Sequence, residues 1–112
     1  MHELSICKSI AKIAEQHADG RPVRAVHIQV GHLRQVVPDT LVYCWDLVVD
    51  ESALAGTTLE IDHVPAVLEC HHCGQVSTIR HLVLRCSACQ STDATLVSGQ
   101  ELLVTSLDLQ GA

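Results

Sequence analysis

Cys70-His71-His72-Cys73 and Cys86-Ser87-Ala88-Cys89 form two C-x-x-C pairs separated by twelve residues, close to the spacing of zinc ribbons. One such turn brings two sulfurs within reach of a single ion. Two turns set face to face supply a tetrahedral four-thiolate shell with bonds of about 2.3 Å. A shell closed by four sulfurs leaves no position for water or substrate, so the spacing predicts a structural zinc on Cys70, Cys73, Cys86 and Cys89 and no reaction there. Gly74, directly after the second cysteine, eases the turn of the backbone around the ion. The alternatives are two disulfides or a redox pair, but a thioredoxin-like motif uses one C-x-x-C opening a helix, not two matched turns. His63, His71, His72 and His81 lie in or beside this module. They read as solvated histidines, with exchange for a thiolate as the other reading.

A second constellation is Met1-His2-Glu3. The α-amine of Met1, the amide nitrogen of His2 and its imidazole can converge on one ion, a planar nitrogen set that suits nickel(II) or copper(II). Glu3 can add an oxygen or support a ligand. Taken alone, the tripeptide has a simpler reading that outweighs chelation: Glu3 complements the dipole of a first helical turn and His2 is a frayed end.

The elements that must position these groups follow from periodicity. Ile6, Ile10 and Ile13 recur at helical spacing between Glu3 and Ala18, with Leu4, Cys7, Ala11 and Ala14 on the adjoining seam and Lys8, Lys12 and Glu15 opposite. Gly20 and Pro22 end that helix. Val26, Ile28 and Val30 alternate with His27 and Gln29 as in a strand with one buried face. Pro38 suits the first turn of a second helix, along which Leu41, Val42, Trp45, Val48 and Val49 keep an apolar face. Cys7 and Cys44 fall on these helical patterns and read as small core residues. Thr58 to Val64 alternates again. Residues 66–98 read as paired cysteines joined by short polar turns, and Glu101 to Leu109 is β-rich with Leu103, Thr105, Leu107 and Leu109 on one face. The order predicts an α+β fold, a three-stranded sheet packed by two helices, with a zinc-ribbon module inserted before the last strand.

Composition narrows the function. The 112 residues suffice for one core plus a small stapled module. Trp45 and Tyr43 are the only aromatic side chains, so any core is aliphatic. No run of about 18 apolar residues and no leader pattern occurs, which predicts a soluble, cytoplasmic chain without a membrane role. In a reducing cytosol, cysteines in this pattern bind metal. A net charge of −6, only Arg80 and Arg85 in the ribbon and no aromatic there disfavour nucleic acid. No H-E-x-x-H, nucleophile triad or phosphate-cradling loop is present, so no enzyme is expected. The remaining alternative is a zinc-ribbon adaptor or nucleic-acid-binding protein with no part in nickel handling.

Beginning with Met1-His2-Glu3-Leu4-Ser5, the chain resembles the HypA/HybF family of hydrogenase nickel incorporation proteins. The resemblance continues through Val30-Gly31 with Leu33, Val36, Pro38 and Leu41, Gly56-Thr57 with Leu59 and Ile61, both C-x-x-C pairs, and Glu101-Leu102. It implies a nickel metallochaperone that works with the GTPase HypB to load the large subunit of [NiFe]-hydrogenase. It also implies nickel as cargo bound at His2 with Glu3 and Met1, and zinc on the four cysteines. Asp39 matches a further acidic ligand of the family only approximately and is left outside the set. On this reading residues 1–65 plus 99–112 form a nickel-binding α+β domain and residues 66–98 a zinc-binding ribbon domain. A homodimer and service to urease are open alternatives within this reading.

Overall fold

The computed structural model describes residues 3–80 and 82–110. The chain divides into two compact units, one made of Met1–Gln29, Val36–Asp62 and Leu103–Ala112, the other of Val30–Gln35 and His63–Leu102. Its elements are α1 (Glu3–Ala18), β1 (Val23–Gly31), a 3-10 turn (His32–Arg34), α2 (Pro38–Val49), β2 (Thr58–Val64), β3 (Ala66–Cys70), β4 (Val76–Ile79), β5 (Ala94–Ser98) and β6 (Leu102–Leu109). They make two three-stranded sheets ordered β2-β1-β6 and β4-β3-β5. Among the described residues no helix is long and apolar enough to cross a membrane.

In the first unit α1 and α2 pack on each other. Their seam is the expected one: Ile6, Cys7, Ile10, Ala11 and Ala14 of α1 and Leu41, Trp45 and Val49 of α2 are buried, as are Val26 and Ile28 of β1. Leu4, Ile13 and Val42, read on the apolar faces, fall at the rim and are exposed, because the buried stripe is narrower than the apolar one. Trp45 is wholly buried, and its indole N–H donates to Thr57 O at 2.8 Å. The Thr57 hydroxyl in turn donates to Val23 O at 2.8 Å. Thus the largest side chain of an aliphatic core also satisfies its one polar atom. β6 departs from the expected single apolar face, since Leu103 is exposed while Leu102 and Val104 are half-buried. As an edge strand in the order β2-β1-β6, it has a neighbour on one side only.

The second unit corrects the expectation of polar turns. Three short strands are present, β3 pairing antiparallel with β4 (Ala66↔Ile79 to Glu69↔Val76) and with β5 (Leu68↔Leu96, Cys70↔Ala94), with a bulge at Val67/Leu68. At four or five residues each, they are too short for a period-two pattern to stand out from the turns. Ala66, Leu68 and Ile79 form a small core capped by Leu33, Ala94 and Leu96.

The two cysteine turns have one backbone plan. Cys70 N–H donates to Gln75 O and Gly74 N–H to Cys70 O; Cys86 N–H donates to Ser91 O and Gln90 N–H to Cys86 O, all at 2.9–3.0 Å. The residue closing each turn lies in the left-handed region, Gly74 at φ 74° and Gln90 at φ 66°. Elsewhere in this unit Gly31 N–H donates to Glu101 O (2.7 Å), Leu33 N–H to Gly99 O (2.8 Å), and Gly99 N–H to the Glu101 carboxylate (2.8 Å). The approach is close enough that a Cβ on Gly31 would lie 2.2 Å from the Gly99 carbonyl carbon, and one on Gly99 (φ 117°) 2.6 Å from Ala66 Cα.

Two stability outcomes follow from this backbone. Gly99→Ala forces a side chain into both a left-handed φ and a backbone collision, each costing on the order of 1–3 kcal/mol, and is expected to lower Tm by several degrees in calorimetry. Gln90→Gly relieves the left-handed residue of the second turn and is expected to stabilise the second unit by about 1 kcal/mol. A lower urea midpoint for that variant would contradict the assigned conformation.

Candidate metal centre

Register and turn geometry deliver the four cysteines to one place. Cys70 ends β3 opposite Ala94 of β5, while Cys86 and Cys89 sit on the matching turn. The four Sγ atoms all lie within 4.8 Å of one another. Cys70 Sγ is 3.6 Å from Cys89 Sγ, and Cys73 Sγ is 3.6 Å from Cys86 Sγ. A tetrahedron with bonds of about 2.3 Å has edges of about 3.8 Å, so the sulfur spacing fits one four-coordinate ion such as zinc. The spacing is far beyond a disulfide bond of about 2.05 Å, and all four cysteines are free thiols.

The first cysteine of each pair is buried and the second exposed. Backbone N–H groups point at the buried sulfurs: those of His72 (3.3 Å) and Cys73 (3.5 Å) at Cys70, and that of Ala88 (3.4 Å) at Cys86. Such donors favour the thiolate, the form that binds metal. The N–H groups of Cys89 and Ala88 pull the Cys86 thiol down to about 6. The N–H of Cys73, and against partial desolvation that of His72, also lower Cys70. Cys7 is the opposite case. Burial, with Cys44 and Glu3 adding, pushes its thiol up to about 12, and its Sγ–H donates to Leu41 O at 3.3 Å. Cys7 is a core residue, and Cys44 is half-buried.

The remaining predicted site residues are distributed as follows. Glu3 stands in the first turn of α1, while Met1 and His2 lie outside the described residues, as does His81. Asp39 stands in the first turn of α2. His71 is not simply solvated: its Nδ1 meets Asp93 Oδ1 at 3.0 Å and its Nε2 meets the Thr95 hydroxyl, which ties the first turn to β5. His72 is exposed and takes part through its backbone N–H. His63 lies beside His32. The N–H···S donors were not readable from spacing. They arise from the turn itself, and the positive φ of Gln90 carried no compositional signal of the kind glycine gives at Gly74.

A family model described as "Hydrogenase/urease nickel incorporation, metallochaperone, hypA" matches residues 1–109. The hydrogenase maturation factor HypA of Geobacter metallireducens is 38% identical over 110 residues, covering 98% of this chain and all of that protein. HypA of Geobacter sulfurreducens is 34% identical with the same coverage. The solution structure of the Ni metallochaperone HypA from Helicobacter pylori shares the fold, with a TM-score of 0.67 at 24% identity and 97% of each chain covered. With a match over nearly its whole length and a four-cysteine cluster whose sulfurs could share one ion, the chain belongs to the HypA family of hydrogenase and urease nickel incorporation metallochaperones.

Proposed function

We propose that this chain is a nickel metallochaperone for [NiFe]-hydrogenase, carrying nickel on Met1, His2 and Glu3 and a structural zinc on Cys70, Cys73, Cys86 and Cys89. The observation that carries the reading is the convergence of four sulfurs within 4.8 Å. Four thiolates complete a tetrahedral shell and leave no open position, so a cargo ion that must be taken up and given away needs a different site. The N-terminal amine, the His2 nitrogens and Glu3 form an open set of donors of the kind nickel(II) accepts. Family membership supplies the cargo. Residues 1–65 with 99–112 then act as the nickel-handling domain and residues 66–98 as the zinc domain.

In this reading the chain is a carrier and not a catalyst. Its role is to bind nickel, exchange it with a GTPase partner of the HypB type and present it to the hydrogenase large subunit in the cytoplasm. Nucleotide hydrolysis belongs to the partner. Zinc chemistry is confined to neutralising four thiolates and fixing the two turns. The residues of this chain supply the rest: backbone N–H groups that favour the thiolate form of Cys70 and Cys86 and the His71 contacts that tie the first turn to Asp93 and to Thr95 of β5.

Two substitutions test the two sites separately. Cys73 is exposed, so Cys73→Ser removes a ligand with little packing loss. Zinc content measured by plasma emission is expected to fall well below one per chain, with loss of the second unit's cooperative melting. A full zinc complement and an unchanged Tm would refute the four-thiolate site. His2→Ala on untagged protein is expected to keep zinc and fold but to lose tight nickel binding in calorimetry. Hydrogenase activity in cells should fall with it and recover partly on added nickel by mass action. Undiminished nickel affinity in that variant would remove the N-terminal site.

A further inference from the structure

We propose that His32 and His63 form a second, open binding site for a late first-row divalent cation, distinct from the four sulfurs and independent of His2. Their imidazole centroids are 5.5 Å apart with the rings at 88°. Two imidazoles bound to one ion at about 2.0–2.1 Å, at a tetrahedral angle, place their centroids about 5.2 Å apart. The centroid separation of the pair is therefore close to that of two imidazoles sharing one ion.

The tautomer of His32 is set for this role. Its Nε2 lies 3.2 Å from Arg80 O, and a carbonyl can only accept, so the Nε2 carries the proton and the lone pair sits on Nδ1. An imidazole that donates one N–H to a backbone carbonyl and offers its other nitrogen is the arrangement found around protein-bound metals. Both rings come from anchored segments. The 3-10 turn carrying His32 is held by Leu33 N–H to Gly99 O (2.8 Å) and by Arg34 Nε to Gln100 O (2.7 Å). His63 belongs to β2. His63 is exposed and His32 half-buried, so one side of the pair is open to solvent for water or an incoming ligand to complete the shell.

Among the described residues, His71 and His27 have ring nitrogens already engaged by side chains: both nitrogens of His71 by Asp93 and Thr95, and the Nε2 of His27 at 2.8 Å by the Asp108 carboxylate. Two imidazoles with open positions favour nickel, copper or zinc over magnesium or calcium, the class to which the proposed cargo belongs. The site does not require that cargo reading to hold.

The test uses the full zinc-loaded chain carrying His2→Ala, titrated with nickel(II) sulfate and followed through the ¹⁵N-labelled imidazole signals. Before nickel, His32 should show the Nε2-protonated tautomer. On substoichiometric nickel, the His32 and His63 ring signals should broaden ahead of those of His17, His27, His71 and His72. Adding His63→Gln, a change at an exposed position, should abolish the early broadening at His32 and lower bound nickel by one per chain in equilibrium dialysis. The proposal is overturned if His32 and His63 broaden no sooner than the other rings, or if His63→Gln leaves nickel bound at His32. Because His2 is already absent, neither result bears on the N-terminal site.

Discussion

Four sulfur atoms within 4.8 Å of one another cannot all be ionised without a cation between them, and among its described residues the second unit has a modest apolar cluster in its small sheet. Its core is Ala66, Leu68 and Ile79 with three half-buried neighbours, too small to offset the chain entropy of about forty ordered residues at roughly 1–2 kcal/mol each. A divalent ion bound there would turn the mutual repulsion of the thiolates into four bonds. The short strands then serve the turns: β3 ends on Cys70, and its register with β5 sets Ala94 opposite that cysteine. Each turn is closed by two backbone hydrogen bonds of its own, and in the first turn His71 N–H also donates to Asp93 O just before β5.

The first unit follows a different logic. Two amphipathic helices cover the sheet with aliphatic side chains, and Trp45 provides most of the volume that a core without phenylalanine lacks. The tryptophan packs without an unpaired N–H because Thr57, itself buried, leaves its carbonyl free for the indole and sends its hydroxyl to Val23. This relay joins α2, the loop before β2 and the start of β1 through two hydrogen bonds. A valine at position 57 would keep the shape and lose one of those links.

The helices and outer strands were legible because long periodic segments carry their own signal. The patterns of Glu3–Ala18 and Thr58–Val64 coincide with α1 and β2, the pattern from Pro38 to Asp50 runs one residue past α2 into its C-cap, and the last strand returns to the first sheet as the order β2-β1-β6 requires. β1 begins at Val23 and not Val26, since Val23, Ala25 and Val26 are all buried and interrupt the alternation. The ribbon strands, the 3-10 turn at His32 and the partners of His71 were not legible. They depend on contacts between segments distant in the chain. The clustering of the four cysteines was the easiest feature to foresee, because groups that could share one ion must be of fixed types at fixed intervals. The pairing of His32 with His63 joins residues 31 positions apart and no spacing rule points to it.

The close approach of Gly31, Gly99 and Ala66 limits what sequence change can repair. The atoms that a side chain at Gly31 would strike are the carbonyl carbon and oxygen of Gly99, and a side chain at Gly99 would strike Ala66 Cα as well as its methyl group. Backbone atoms cannot be trimmed by mutation, and Gly99 has no side chain left to give up. Replacing Ala66 by glycine would remove the methyl group and leave the Cα in place. No second-site substitution at the partners can therefore rescue a change at either glycine, so any tolerated variant must shift the main chain between Gly99 and Glu101, whose carboxylate and carbonyl fasten that corner.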